Sequence, residues 1–384
     1  MTAASMKTYC VGGAVRDKLL GLEVKDRDYV VVGATVAQML DLGYQQVGRD
    51  FPVFLHPKSR DEYALARTER KTRPGYLGFE VFASPEVTLE QDLARRDITI
   101  NAMAQDSAGH LIDPHGGKAD LKAKVLRHVS PAFAEDPVRV LRVARFAARF
   151  GFRVAAETMQ LMRDMAARGE VDALVAERVW QEIARGLMER RPSRMFEVLA
   201  DAHALERIAP EIAMMLADPA RRTPVFRAVD YAASRDCSLA LRFAALTHRI
   251  NDGSPYESRL ATLCERLRVP TECRELARLA LAHSKTVNQK QPLPAEAMAQ
   301  LLERCDAYRR PERFVELLKC CACIFHAAPG REKSAYPQAV RLQSALAAAA
   351  SVDAGAIAEI LPDPTSIRAR IHQARVAAIA ASLK

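Results

Sequence analysis

The hydrophobic period of this chain changes once, near Ser130-Pro131, and that change limits the fold more than any other feature of the sequence. Before it, residues 9–11, 45–47, 53–56 and 62–66 read as short strands, while residues 14–20 and 35–42 read as short helices. After it, helical spacing runs through residues 137–150, 155–168, 177–190 and 194–202, and on to the Ala-rich residues 342–356. The expected fold is α+β: a mixed head over residues 1–130, a helical segment over 131–218 and a helical remainder over 219–384. Ala217-Asp218-Pro219 marks the second boundary, and residues 288–294 form a polar break inside the helical half. There is no repeat of fixed period.

A chain of 384 residues is long enough for two or three real cores, and 49% hydrophobic with 27% charged residues excludes a disordered chain. The net charge of +9 favours a polyanionic partner. No stretch resembles an apolar signal core or a membrane span, so the expected location is cytoplasmic, with no membrane and no obligate protein partner. The eight cysteines are scattered except for Cys320-Cys321-x-Cys323, which lacks the spacing of a zinc site and reads as a buried helix face.

Within the head, Val11-Gly12-Gly13-Ala14-Val15-Arg16-Asp17 reads as strand, tight turn and helix. Glycines let the backbone approach an anion, and helix N-terminal amides favour negative charge. The third glycine of a dinucleotide fingerprint is absent, and so is a P-loop lysine. Asp26 and Asp28 follow in a β-rich run, and on a strand their spacing puts both carboxylates on one face. Two oxygen donors beside a phosphate cradle suit Mg²⁺ held together with a triphosphate.

Gly-Gly-Ala-Val-Arg-Asp followed by Asp-Arg-Asp resembles the nucleotidyltransferase motif of the bacterial CCA-adding enzymes and poly(A) polymerases, the class II branch of the DNA polymerase beta superfamily. The resemblance is densest over residues 7–152. It implies a polymerase-beta-like head followed by helical neck, body and tail, with Asp26 and Asp28 as the catalytic, metal-binding carboxylates. A third carboxylate comes from a neighbouring strand in that superfamily, which makes Glu62 a candidate, although Asp61 and Glu62 also suit a charged edge strand. Residues 70–78, rich in basic residues, Gly and Pro, read either as a flap over nucleotide or RNA or as a solvated turn.

Arg95-Arg96-Asp97-Ile98-Thr99-Ile100-Asn101-Ala102 reads as a helix end running into a β-branched strand, delivering a guanidinium fork to the head. It resembles the family's second signature, in which the second arginine, here Arg96, contacts the nucleotide. Asp97 also suits a strand cap or a partner for Arg95. In Glu135-Asp136-Pro137-Val138-Arg139, Asp136 suits a helix cap, but Arg139, Arg142 and Arg145 recur every third residue and crowd like charges on one face. The resemblance implies that Asp136 and Arg139 read the incoming base, and that Gly13, Arg16, Arg142 and Arg145 bind the nucleotide.

A carboxylate accepts and a guanidinium donates, so cytosine and adenine, each with an amine beside a ring acceptor, suit the pair. Uracil and guanine place a carbonyl where the amine should be, leaving an unsatisfied group at about 1–3 kcal/mol. Residues 47–56 match the form found in CCA-adding enzymes rather than the more basic poly(A) polymerase version. The implied activity is template-independent addition of C, C and A to the tRNA 3′ end from CTP and ATP, in maturation and repair. A poly(A) polymerase, a CC-only or A-only enzyme and a non-catalytic RNA-binding module are the alternatives. Some relatives carry a phosphohydrolase domain marked by His-Asp; here His248 is followed by Arg249, which cannot ligate a cation, so no phosphodiesterase or phosphatase activity is expected.

Overall fold

The computed structural model describes residues 6–47, 53–71, 79–251, 258–360 and 363–383. Its head is α+β, as expected. Seven strands form one sheet: β1 (Lys7–Val11), β2 (Asp28–Val32), β3 (Gln45–Val47), β4 (Val53–Leu55), β5 (Glu62–Leu65), and, beyond the hairpin β6 (Arg67–Lys71) and β7 (Phe79–Ala83), β8 (Ala104–Gln105) and β9 (Leu111–Ile112). The order is β3-β4-β5-β2-β1-β8-β9, antiparallel except for β2 with β5, where Asp28 stands opposite Glu62. Helix α1 (Gly13–Leu19) follows β1 through Gly12, whose φ of 69° suits glycine. Helix α2 (Val36–Asp41) is entered through a capping box of Thr35 and Gln38.

Alternation along β2 divides the core. Val30 packs with Val11, Leu89, Leu93 and Ala102, whereas Val31 packs with Met39, Phe54 and Leu65. Period two therefore turns Asp28, in step with Val30, toward the side that carries helix α3 (Leu89–Ala94). That face becomes the site.

The structure corrects several local expectations. Asp26 precedes β2 rather than lying on it, so the shared-face argument from strand spacing does not apply. Arg70 and Lys71 belong to β6, paired to β7; residues 72–78 of the expected flap lie outside the described residues, as do residues 48–52 of the motif before β4. The β-branched run after Arg96 is not a strand. Ile98 makes a single bridge to His128, and Thr99–Asn101 form a 3₁₀ turn because the Asn101 and Ala102 amides bond back to Ile98 and Thr99, and the Thr99 hydroxyl donates to buried Asp120 at 2.8 Å.

Helix α4 (Gly117–Ala123) and a short parallel pair, β10 (Val125–Leu126) with β11 (Arg153–Val154), lead to α5 (Val138–Phe150), α6 (Ala156–Ala167), α7 (Ala176–Leu187), α8 (Pro192–Asp201) and α9 (Leu205–Ile208). The chain forms two compact units, residues 1–186 with 194–208, and residues 187–193 with 209–384. The second is helical: α10 (Pro210–Ala217), α11 (Pro219–Ser234), α12 (Leu239–Thr247), α13 (Ser258–Arg266), α14 (Thr271–Val287), α15 (Ala295–Arg304), α16 (Pro311–His326), α17 (Pro337–Ala350), α18 (Ala354–Ile360) and α19 (Pro364–Ser382). The Ala-rich stretch is two helices, because Asp353 starts α18 by accepting from the Ala356 amide. All eight cysteines are free; Cys320, Cys321 and Cys323 are buried on α16, whereas Cys10 and Cys237 are half-buried. Among the described residues no helix is long and apolar enough to cross a membrane.

Candidate active site

A cavity of about 550 Å³ opens where β2, α1, α3 and α5 converge. Nine arginines line it (Arg16, Arg67, Arg95, Arg96, Arg139, Arg142, Arg145, Arg149 and Arg178) against three aspartates, Asp28, Asp97 and Asp136. So large an excess of guanidinium suits a polyanion.

Helix α5 supplies four of the arginines from one face while Val140, Leu141, Val143, Ala144 and Ala147 on its other face are buried. Their crowding is partly answered inside the protein. Arg142 pairs with Asp97 at 2.7 Å, Arg145 with buried Glu182 at 2.7 Å, and Arg149 with Asp17 at 2.9 Å. Arg142 and Arg145 also stand 5.8 and 4.6 Å from the Phe146 ring centre. Burial opposes ionisation of Asp97, but Arg142, Asn101 and the Ile98 amide outweigh it and hold the carboxyl at about 2. The partner of Asp97 is thus Arg142, and Arg95 pairs instead with Asp92 at 2.8 Å.

Asp92, fully buried, also takes Arg96 at 3.2 Å, which leaves the Arg96 Nε buried without a partner among the described residues. A Cβ on Gly12 would stand 2.9 Å from Arg96 Nη1, so glycine is what lets that guanidinium lie against the turn. Arg16, only 4% exposed, is fixed by Asp17 and Asn101; burial pulls its pKa down, opposed by the bond to Asp17.

Arg139 donates from Nη1 to the Ala132 carbonyl and from Nη2 to the Arg95 carbonyl, both at 2.7 Å, which fixes the plane of its guanidinium. Asp136 is held at both oxygens: Oδ1 accepts from the Val138 amide at 3.1 Å and Oδ2 from Arg178 at 3.4 Å. The two side chains share one wall with defined orientations.

Asp28 keeps solvent access at the cavity mouth while burial raises its pKa, Arg96 lowers it and Asp26 raises it. Asp26 therefore lies close enough to act on Asp28, although it does not line the cavity. Glu62 is exposed on the adjacent strand and does not line it either. Among the described residues no group of three or more His, Cys, Asp or Glu could hold a metal ion by itself. Two carboxylates completed by phosphate oxygens fit a hard divalent cation.

Gly13, Arg16, Arg96, Arg139, Arg142, Arg145, Asp28 and Asp136 are therefore brought together. Arg67, Arg149 and Arg178 also line the cavity without any signal in the sequence, as does Asn101, which belongs to the signature around Arg96 but carries no role of its own there.

Residues 8–127 match the family described as the Poly A polymerase head domain, and residues 151–216 match one described as a probable RNA and SrmB-binding site of polymerase A. The chain is 54% identical to the multifunctional CCA protein of Nitrosospira multiformis, over 97% of this chain and 98% of that one. With that of Cupriavidus necator it is 55% identical, over 98% and 100%. The chain belongs to the bacterial CCA-adding enzyme family. Its fold agrees with solved CCA-adding enzymes: an apo form at TM-score 0.73 and 22% identity, covering 98% of this chain and 88% of that one, and the Bacillus stearothermophilus enzyme in complex with CTP at 0.70 and 21%, covering 98% and 89%.

Proposed function

We propose that the protein adds C, C and A in turn to the 3′ end of tRNA, taking nucleotides from CTP and ATP and releasing pyrophosphate. The carrying observation is one cavity that combines an arginine-lined wall, an Asp136 carboxyl held by the Val138 amide beside a fixed Arg139, and an exposed Asp28. Relatives 54–55% identical over nearly the whole chain bear the name multifunctional CCA protein.

Enzymes of this family work with a divalent metal ion, and Mg²⁺ held by Asp26 and Asp28 suits two carboxylates beside a triphosphate. When bound it would supply Lewis-acid stabilisation of charge on the phosphoryl oxygens and the leaving pyrophosphate. Arg16, Arg96, Arg142 and Arg145, with the backbone at Gly13, hold and orient the triphosphate. Asp136 accepts from the exocyclic amine of cytosine or adenine while Arg139 donates to the adjacent ring nitrogen, so protein side chains act as the template. Two carbonyls and a cap bond keep that pair in place before any base arrives, which lowers the cost of ordering it. Glu62 is the candidate third carboxylate, placed opposite Asp28 in the parallel pair.

The division of labour follows the chain: residues 1–130 as catalytic head, 131–218 as base-reading neck, and 219–384 as body and tail that carry tRNA in the cytoplasm. The body lacks phosphohydrolase activity in this reading. His248 donates from Nδ1 to the Ala245 carbonyl at 2.7 Å, and its Nε2 lone pair takes the Arg249 Nε–H at 3.2 Å, so neither nitrogen is left for a metal.

The Asp28→Ala variant tests the reading. It should bind tRNA as the wild type does yet incorporate no labelled CMP; undiminished incorporation would remove Asp28 from the chemistry.

A further inference from the structure

Cys237 and Cys323 bring their sulfurs to 3.9 Å across 86 positions of chain, both within the helical second unit. Cys237 is held there from both sides. It leaves α11 through a closing turn in which the Asp236 amide bonds to the Ala233 carbonyl and the Cys237 amide to that of Ala232, both at 3.1 Å, with Asp236 at a φ of 49°. Ser238 then caps α12 by accepting from the Leu241 amide. Arg242, 3% exposed, donates from Nε to the Cys237 carbonyl at 2.9 Å and from Nη1 to the Leu187 and Glu189 carbonyls. A single residue thus joins two fixed helix ends, and its sulfur meets α16.

Burial gives the two thiols different roles. Cys237 is half-buried, whereas Cys323 is buried, as are Cys320 and Cys321 beside it on α16. Of the eight cysteines only Cys10 shares the partial exposure of Cys237; it lies in the other unit, and burial pushes its thiol up. The bond from Cys323 pulls the Cys237 thiol below its usual value, against burial and Glu316, and Arg242 and Lys319 lower it further. The same bond, with burial, raises Cys323. An accessible thiolate beside a shielded, protonated thiol is the arrangement of an attacking and a resolving cysteine.

We propose that Cys237 and Cys323 form a reversible oxidation site, at which hydrogen peroxide converts the two thiols to a disulfide. The Cys237 thiolate attacks one peroxide oxygen, the O–O bond breaks, and the other oxygen leaves as hydroxide, which takes up a proton to become water. The Cys323 sulfur then attacks the sulfur of the Cys237 sulfenic acid, and that oxygen leaves as a second water carrying the Cys323 proton. The two thiols lose two electrons and the peroxide gains them. The disulfide ties the α11–α12 junction to α16 and keeps Cys237 from oxidation beyond the sulfenic acid, and a thiol reductant restores the pair. Neither cysteine lines the cavity of the head, so substituting them leaves the basal reaction in place.

The test treats the full chain with hydrogen peroxide, blocks remaining thiols with iodoacetamide, and maps tryptic peptides by mass spectrometry without reduction. The peptide carrying Cys237 should appear joined to the one carrying Cys320, Cys321 and Cys323, about 2 Da below the sum of the two, and the joined species should vanish with dithiothreitol. Fragmentation of the wild-type species should place the bond at Cys323, a readout that needs no variant to fold. Cys320→Ser should keep the link, whereas Cys237→Ser and Cys323→Ser should abolish it, and in Cys323→Ser dimedone should label Cys237. The proposal is overturned if peroxide that oxidises Cys10 leaves the Cys237 peptide unlinked. It is equally overturned if the bond falls at Cys320 or Cys321, or if the link survives Cys323→Ser.

Discussion

Arg142 on α5 and Asp97, forty-five positions earlier in the chain, meet at 2.7 Å, and that pair ties the arginine-rich helix to the segment that carries Arg96. Asp97→Ala should leave Arg142 without its counter-charge. The cost should be about 2 kcal/mol, below the value for a fully buried pair because the Arg142 side chain is 35% exposed. Because the folded pKa of Asp97 is depressed, its contribution is complete above the usual carboxylate value of 3.8 and is lost as pH falls through about 2. Thermal melts of wild type and variant should therefore converge in that acid window and stay separated at neutral pH.

Asp136→Asn replaces an acceptor-only group with one that can also donate. Uracil and guanine carbonyls then find a partner, and the penalty of about 1–3 kcal/mol that excludes them falls. Discrimination against UTP, read as the ratio of kcat/KM values for CTP and UTP, should drop by about tenfold or more. An unchanged ratio would take base reading away from Asp136.

His372 on α19 places Nδ1 and Nε2 each 2.8 Å from a carboxylate, of Glu303 and Glu296, both on α15. These bonds raise its pKa above the usual histidine value of 6.5, Glu303 first and Glu296 next. The contribution is complete below about 6.5 and is lost as pH rises through the higher folded value. It is worth about 1 kcal/mol or less at this partly exposed position. The fall in melting temperature from about pH 6 to about pH 9 should be smaller in His372→Asn than in the wild type. Equal slopes would show that the pair does not hold the tail helix.

Much of this architecture was legible in local chemistry. Gly12 with its positive φ, Asp28 on the strand after the turn, and Arg96 at the end of α3 are short-range features, and sequence pattern reports short range well. The strand expected after Arg96 failed because a β-branched run fits a strand or a tight turn equally, and the distant Asp120 decided between them by bonding Thr99. Asp97 could not be matched to Arg142 from spacing, nor Arg145 to Glu182, since both pairs close only in three dimensions. Arg67, Arg149 and Arg178 gave no local signal for the same reason: each comes from a different element, and only the fold turns them to one cavity.

The most direct test supplies the purified protein and Mg²⁺ with a tRNA lacking its 3′ end, gives CTP alone, ATP alone and then both, and sequences the products. Growth by CC with CTP alone and by CCA with both nucleotides is the expected result. Long A tails from ATP alone would place the protein among poly(A) polymerases, arrest after CC or a requirement for preformed CC would make it a partial enzyme, and no incorporation under any condition would contradict a catalytic role.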